Sequence, residues 1–146
     1  MGMILREATV TYSGRRIEAS RAIRHAQDAS DVFQGWGIAD RAQECFGVMY
    51  LNAKHACIGV QLVAMGGLTG VEVHPREVFR GAVLAGAAAV LLVHNHPSGD
   101  PTPSADDLAL TARLKAAGDL LGVPVLDHII VAQGGSFRSL ANEGHI

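Results

Sequence analysis

The apolar run from Ala87 to Val93 is the feature that most restricts the fold of this chain. It carries no polar side chain along its length, and it lies between Gly86 and the segment His94-Asn95-His96-Pro97. A short, uninterrupted apolar run between turn signals is typical of a strand that is buried on both faces. The run therefore predicts a central strand in a sheet that is flanked by helices.

Helix-like and strand-like patterns alternate along the rest of the chain. Pro75 is suited to the first position of a helix that runs to Leu84, and a second helix is expected from Ser104 to Leu121. Three further strands are predicted, two of them joined as a hairpin by the polar segment Asn52–His55; they cover residues 46–51, 56–65 and 123–132. This order predicts a single α/β (α+β) domain with a mixed central sheet flanked by helices.

The amino-terminal part is less regular. Residues 3–12 resemble an edge strand that ends in the Ser13-Gly14 turn. Ser30 is expected to cap a short helix through Phe33, and residues 38–44 to form a second short helix.

The chain length bounds the number of domains. A length of 146 residues suits one domain with a real core. We therefore divide the chain into an extension, residues 1–29, with an edge strand and a turn, and a domain, residues 30–146.

Composition excludes several classes of protein. A hydrophobic content of 49% with 18% charged residues is typical of a globular protein, and a net charge of −2 supplies no basic field for nucleic acid. Cys45 and Cys57 are too few for a disulfide scaffold or a four-cysteine zinc site, and are expected to be buried free thiols. The longest uncharged apolar stretch, 81–93, is too short for a membrane span, and no signal peptide is evident, so a cytoplasmic location is expected.

Two histidines end the central apolar run. His94 and His96 are two residues apart, so on a strand their side chains point to the same face. Asp107 begins an inward stripe on the following helix, which continues through Leu110, Leu114, Ala117 and Leu121. A carboxylate at the edge of a buried face is costly unless a cation or hydrogen bonds compensate it. Two imidazoles, one carboxylate and a water molecule would form a tetrahedral catalytic zinc site.

The connection between the histidines and the helix suits a preorganised site. It contains Pro97, Gly99, Pro101 and Pro103, which restrict or specify the backbone conformation and predict a stiff loop. Ser104 and Asp107 also form an S-x-x-D pattern, and a helix capping box explains that pattern by itself.

The pattern H-x-H, seven residues, S-x-x-D resembles the JAMM metalloprotease motif of MPN/JAB domains. The local sequence HNHPSGDPTPS, with ECFGVMYLN, VHPREVFRGAV and VLDHIIVA in the same order, resembles the RadC branch of that superfamily over roughly residues 30–145. The resemblance implies zinc as the cofactor and His94, His96 and Asp107 as its ligands. The chain departs from the RadC pattern at Gly66-Gly67-Leu68, where a Gly-Thr-Leu is usual.

The resemblance also implies catalytic roles that spacing alone does not identify. Glu44, just before CFGVMYLN, matches the upstream glutamate of the motif and would be the general acid and base, although by itself it reads as a solvated helix-end acid. The Ser104 hydroxyl would hydrogen-bond the tetrahedral oxyanion. His128, in VLDHIIVA, is either a residue behind the metal ligands or an ordinary core histidine.

The reaction expected from the resemblance is hydrolysis of a peptide or isopeptide bond in a protein or peptide substrate. The alternatives are a RadC-like accessory factor in DNA repair or recombination, which the charge balance does not support, and a non-catalytic MPN scaffold. The contiguous His94-Asn95-His96 triplet does not match the dispersed residues of an HNH nuclease. A zinc deaminase would need H-x-E and C-x-x-C patterns, and both are missing.

Overall fold

The computed structural model describes residues 1–66 and 72–146 as a mixed five-stranded sheet with helices on both faces. The strands are β1 (Cys45–Leu51), β2 (Cys57–Met65), β3 (Ala89–Asn95), β4 (Val125–Val131) and β5 (Phe137–Ser139), and the spatial order is β2-β1-β3-β4-β5. The β3–β4 pair is parallel and the other neighbours are antiparallel. The predicted fold class, an α+β domain with a mixed sheet, is confirmed.

Three α-helices of the described part of the chain cover the sheet. The helix α1 (Ala26–Trp36) packs on one face, and α2 (Pro75–Leu84) and α3 (Ala105–Leu121) pack on the other. We call these the α1 face and the α3 face. Every residue of β3 is buried, as the apolar run predicts. Successive residues of a strand point to opposite faces, and accordingly Leu91 and Val93 join the core of the α1 face, whereas Leu92 joins that of the α3 face.

Local capping explains where α2 and α3 begin and end. Pro75 occupies the first turn of α2, where its missing N–H costs no helical hydrogen bond. Ser104 is the N-cap of α3, and Gly122 ends that helix with φ of 73°, a conformation that glycine adopts without strain. Because these signals are local, both helices and the β1–β2 hairpin lie close to their predicted bounds.

The amino-terminal segment departs from prediction. Residues 3–12 form no strand, and Met3, Ile4 and Leu5 are exposed. The chain instead meets the start of β2 further along, where Cys57 N–H donates to the Arg21 carbonyl. A strand needs a partner ladder, and residues 3–12 have none among the described residues, so their apolar pattern does not produce a strand.

The predicted short helices are also corrected. Helix α1 begins at Ala26 rather than at Ser30, because the Asp28 carboxylate accepts the backbone N–H groups of Arg24 and His25. Ser30 is a buried residue inside that helix. The boundary that we placed after residue 29 therefore falls within α1.

Residues 38–44 do not form the predicted helix beyond a single 3₁₀ turn, Ile38–Asp40. Arg41 is extended, and the chain bends at residues 42 and 43 before β1 begins at Cys45. The carbonyls of Arg41 and Gln43 bond the Asn95 side chain rather than a following helical turn.

The buried line of α3 also differs from the predicted stripe. Leu114 is buried, but Leu121 is 53% exposed. The helix instead approaches its neighbours at Gly118, where an added Cβ would lie 2.6 Å from the Val123 carbonyl oxygen. The buried positions are therefore Thr111, Leu114 and Gly118.

Other expectations concern the cysteines, the membrane and one loop. Cys45 is a buried free thiol, as expected, whereas Cys57 is free but only partly buried.

Within residues 1–66 and 72–146, no helix combines the length and apolar character needed to cross a membrane. The departure at Gly66-Gly67-Leu68 falls mainly outside the described residues, which end at Gly66 on that side of the gap.

Candidate metal centre

The sequence-predicted ligands converge at the carboxyl end of β3. The Nε2 atoms of His94 and His96 lie 2.8 Å apart. The two oxygens of Asp107 reach them from the first turn of α3, with Oδ1 3.2 Å from His94 Nε2 and Oδ2 3.2 Å from His96 Nε2. Two histidines from a strand end and an acid from the next helix therefore meet at one point, as their spacing predicts.

Glu44 approaches the same point from the neighbouring strand. Phe46 pairs with His94 across the antiparallel β1–β3 ladder, which places Glu44, just before β1, beside the end of β3. Glu44 Oε1 lies 3.9 Å from His94 Nε2, farther away than Asp107 Oδ1 at 3.2 Å. One ligand atom from each of Glu44, His94, His96 and Asp107 lies within 4.8 Å of the others.

Exposure differs across this group. The side chain of His94 is 3% exposed, whereas that of Glu44 is 30% exposed. The cluster therefore has a buried floor at His94 and opens to solvent beside Glu44. A water molecule or a small ligand can reach the centre from that side.

The loop after β3 orients His96. The backbone N–H of His96 donates to the Val131 carbonyl at 3.0 Å, which continues the parallel pairing with β4. Its ring Nδ1 lies 2.8 Å from the Asp100 carbonyl oxygen. A carbonyl only accepts, so Nδ1 carries the proton, and in the neutral ring Nε2 is left as a lone pair facing Asp107.

Ser104 and Asp107 form the expected capping box. The Asp107 N–H donates to Ser104 Oγ at 3.1 Å, and the Ser104 N–H donates to Asp107 Oδ2 at 2.8 Å. In this box Ser104 Oγ is an acceptor, so its own O–H stays available as a donor. Capping and a hydrogen bond to a bound substrate are therefore compatible roles for this residue.

Phe46 forms an apolar wall behind the histidines. Its ring is stacked on that of His94, with centroids 6.1 Å apart, and it meets His128 edge-on at 5.4 Å. Such contacts restrict the orientation of the two imidazoles.

His128 lies directly behind His94. Its Nε2 atom is 2.8 Å from His94 Nδ1, and its Nδ1 atom is 2.6 Å from Thr111 Oγ1. Burial holds the pKa of His128 well below its ordinary value, so its ring is neutral near pH 7. The structure thus places His128 next to a predicted ligand and outside the group of converging ligand atoms.

The electrostatics of the centre favour a positive charge. Burial by itself would raise the pKa of Asp107, but the neighbouring His94 and His96 rings and the Ser104 N–H outweigh it and keep the pKa far below the usual range. The hydrogen bond with Asp107 raises the pKa of His96. Asp107 is therefore an anion that draws a cation to this point, whether a proton on an imidazole or a metal ion.

Two residues of the site were missed by sequence reasoning. Thr111 connects α3 to His128, and its only signal is a position one turn after Asp107. Asn95, fully buried between the two histidines, donates through Nδ2 to the carbonyls of Arg41 and Gln43, and its Oδ1 accepts the Cys45 N–H at 2.6 Å. Asn95 thus secures the backbone on both sides of Glu44.

The donor set fits a divalent transition metal. Imidazole and carboxylate ligands suit zinc. Zinc bonds of about 2.0–2.2 Å in a tetrahedron separate neighbouring ligand atoms by roughly 3.3–3.5 Å. The observed separations of 3.2 Å between Asp107 and each histidine are close to that spacing, and the two Nε2 atoms at 2.8 Å need only a small separation. The cluster can hold a metal ion with little rearrangement.

Comparison with known proteins places this chain in a family. The model of the RadC-like JAB domain matches residues 23–145. A UPF0758 protein of Pelobacter propionicus is 46% identical over 84% of this chain and 53% of its own length. A UPF0758 protein of Geotalea uraniireducens is 44% identical over 91% of this chain and 58% of its own length. A UPF0758 protein of Methanosarcina acetivorans is 44% identical over 73% of this chain and 46% of its own length.

This chain thus spans about half the length of the curated relatives that it matches. The family match covers the described sheet, its three α-helices and the Glu44, His94, His96 and Asp107 cluster. The chain therefore belongs to the RadC family, and residues 23–145 are its RadC-like JAB domain.

Proposed function

We propose that this domain is a zinc-dependent hydrolase that cleaves a peptide or isopeptide bond. The observation that carries the proposal is the convergence of His94, His96 and Asp107, with Glu44 beside them on the solvent side. His94 is buried, and the loop to Asp100 orients His96, so the ligand set is preorganised. A scaffold that had lost its chemistry has no need of this full set.

His94, His96 and Asp107 would hold the ion, and Glu44 would stand beside the open position. A bound zinc ion would polarise the substrate carbonyl and lower the pKa of a water molecule toward about 7. Glu44 takes a proton from the attacking water and returns it to the leaving amine. Its partial exposure and its greater distance from His94 suit a group that moves protons.

Ser104 would stabilise the negative charge that develops on the substrate oxygen. Its O–H is free to donate, because Ser104 Oγ is an acceptor within the capping box. A preorganised donor of this kind lowers the barrier by about 3 kcal/mol. No acyl-enzyme forms, so Ser104 is not a nucleophile in this scheme.

Metal content is the first test of the proposal. Purified, untagged protein is expected to carry about one zinc per chain by elemental mass spectrometry. The His94→Ala/His96→Ala variant is expected to fold and to carry none, whereas His74→Ala/His145→Ala, which removes two imidazoles outside the cluster, retains the metal. Wild-type protein that stays metal-free after incubation with zinc would refute the proposal and favour a scaffold or a DNA-associated module.

Hydrolysis is tested next with a panel of peptide and isopeptide substrates. Glu44→Gln is expected to keep its zinc and lose turnover, whereas Glu18→Gln, a change of the same kind at an exposed residue, keeps both. A Glu44→Gln protein that retains zinc and full activity would remove Glu44 from the mechanism.

A further inference from the structure

A chain of hydrogen bonds joins the backbone of Asp107 to the ring of His94. Thr111 Oγ1 lies 2.7 Å from the Asp107 carbonyl oxygen and 2.6 Å from His128 Nδ1. His128 Nε2 lies 2.8 Å from His94 Nδ1. The side chains of Thr111, His128 and His94 are all buried, so water does not compete for these bonds.

The direction of each bond follows from the group at the start of the chain. The Asp107 carbonyl only accepts, so the single hydroxyl proton of Thr111 is donated to it. Thr111 Oγ1 then accepts from His128, which requires the proton of the His128 ring to be on Nδ1. A neutral imidazole has one N–H, so His128 Nε2 is an acceptor.

The same reasoning determines the tautomer of His94. Because His128 Nε2 accepts, His94 Nδ1 carries a proton and donates it. His94 Nε2 is therefore a lone pair, and it faces His96 and Asp107 at 2.8 and 3.2 Å. A metal ion requires this form of the ring, whereas the other neutral tautomer would present an N–H to the centre.

We propose that Thr111 and His128 are positioning residues that fix the tautomer of His94 and so prepare it as a metal ligand. The inference rests on the proposed metal site and goes beyond it, since it states how the buried ligand is prepared. His96 receives the same preparation by a different route, from the Asp100 carbonyl.

The position of Thr111 on α3 links the Asp107 ligand to the hydrogen-bond chain that ends at His94. Thr111 follows Asp107 by one turn of α3, so one helix supplies a ligand carboxylate and the acceptor that begins the chain to His94. His128 lies on β4, directly beside β3, where Leu92 pairs with it. Small changes in the helix therefore alter two ligands together.

The zinc affinity of the full chain, measured by competition with a chromophoric chelator, tests this role. Thr111→Val keeps the size of the side chain and removes the hydroxyl, and it is expected to weaken zinc binding about 10- to 100-fold. Thr111→Ser restores the hydroxyl and is expected to bind within a few-fold of wild type. Ser30→Ala is the matched control, because Ser30 Oγ is buried on the α1 face and has no hydrogen-bond partner among the described residues.

A second readout needs no metal. Nitrogen-15 NMR of the metal-free proteins, at a pH where the ring is neutral, reports which nitrogen of His94 carries the proton. Wild type and Thr111→Ser are expected to show the Nδ1–H tautomer. Thr111→Val is expected to show a mixture or the Nε2–H form.

The two readouts separate this inference from the proposed function. If wild type binds zinc and a folded Thr111→Val protein binds it equally well, the positioning role is overturned and the metal site stands. If wild type takes up no zinc, the proposed function fails and the tautomer decides alone. In that case an unchanged His94 tautomer in Thr111→Val overturns the inference. Loss of the Nδ1–H tautomer in Thr111→Val, together with its presence in Thr111→Ser, supports the inference.

Discussion

The two faces of the sheet differ in their hydrogen bonding at the end of β3. On the α3 face, His94 leads through His128 and Thr111 to α3, and its Nε2 atom is directed into an open cluster. On the α1 face, the next residue, Asn95, directs both ends of its amide to the backbone around Glu44. Adjacent residues of one strand thus serve a site in two ways.

The difference lies in what remains after the hydrogen bonds are formed. Around Asn95 the donors and the acceptor pair with backbone groups, and the arrangement is complete within the protein. Around His94 the hydrogen bonds leave lone pairs and a carboxylate facing one another, and such a group is stable only with a cation among them. Polar residues at a buried strand end therefore indicate a binding site only where the protein leaves them incompletely paired.

The largest expected effect on stability comes from removing the Phe46 ring, which contacts His94 and His128 on the α3 face. Phe46→Ala should lower the free energy of unfolding by about 3–5 kcal/mol, because a buried ring is lost, and should weaken zinc binding about tenfold or more, because the imidazoles lose their support. Phe33→Ala removes an equally buried ring on the α1 face and should cost a similar free energy without changing zinc affinity. Denaturant unfolding and chelator competition measure both quantities. Equal zinc affinities for the two variants would erase the distinction between the faces.

Alkaline pH should affect the α3 face through Tyr50. Burial raises the pKa of Tyr50 to about 12, and its hydroxyl donates to Gln61. In the unfolded chain the pKa is about 10, so between pH 10 and 12 the unfolded state loses this proton first and stability falls as pH rises, by about 2–3 kcal/mol from this group. Unfolding of wild type and Tyr50→Phe over that range checks the difference, and parallel pH profiles would contradict it.

Asn95→Ala tests the closed arrangement on the α1 face. It should cost about 1–3 kcal/mol, because the Cys45 N–H and the carbonyls around Glu44 lose buried partners. Zinc affinity should stay near that of wild type, whereas amide exchange at Cys45 should accelerate. Asn52→Ala is the control, since Asn52 Oδ1 accepts from the Lys54 and Ala56 N–H groups in an exposed turn and should cost less. Loss of zinc binding in Asn95→Ala would contradict this prediction and show that zinc binding depends on residues of both faces.

The smallest stability effect is expected at Ser104, where capping and catalysis can be separated. Ser104→Ala should lower stability by about 1 kcal/mol, and Ser104→Gly by only a few tenths. Both variants lack the hydroxyl, so under the proposed mechanism both should lose about 10²- to 10³-fold in turnover while retaining zinc. Unfolding curves and turnover on the peptide panel provide the comparison. Activity that follows stability, rather than the hydroxyl, would assign Ser104 to capping alone.

Local signals account for the parts of the fold that were predictable. The bounds of α2 and α3 follow from Pro75, Ser104 and Gly122, and β3 follows from an uninterrupted apolar run. Residues 3–12 were predicted wrongly, because a strand needs a partner and none of the described strands pairs with them. Residues 38–44 were predicted wrongly, because the Arg41 and Gln43 carbonyls bond the distant Asn95 side chain. Ser30 was wrongly predicted to be a cap, because the Asp28 carboxylate accepts the Arg24 and His25 N–H groups and the helix begins earlier, at Ala26.

The sequence by itself determined the chemical types at the site and their convergence. Alternation on a strand places His94 and His96 on one face, and the first turn of the next helix brings Asp107 toward them, so short-range geometry was sufficient. Glu44 was identified only by family resemblance, because spacing gives it no relation to the histidines.

Only the tertiary structure decided how these ligands are held. Asn95 bonds carbonyls more than 50 residues earlier in the chain, and His128 lies 34 residues beyond His94. No periodicity connects such positions, because the sheet and the packing of α3 create the contacts. The direction in which each proton is donated, and hence the face that each imidazole presents, exists only once those partners meet.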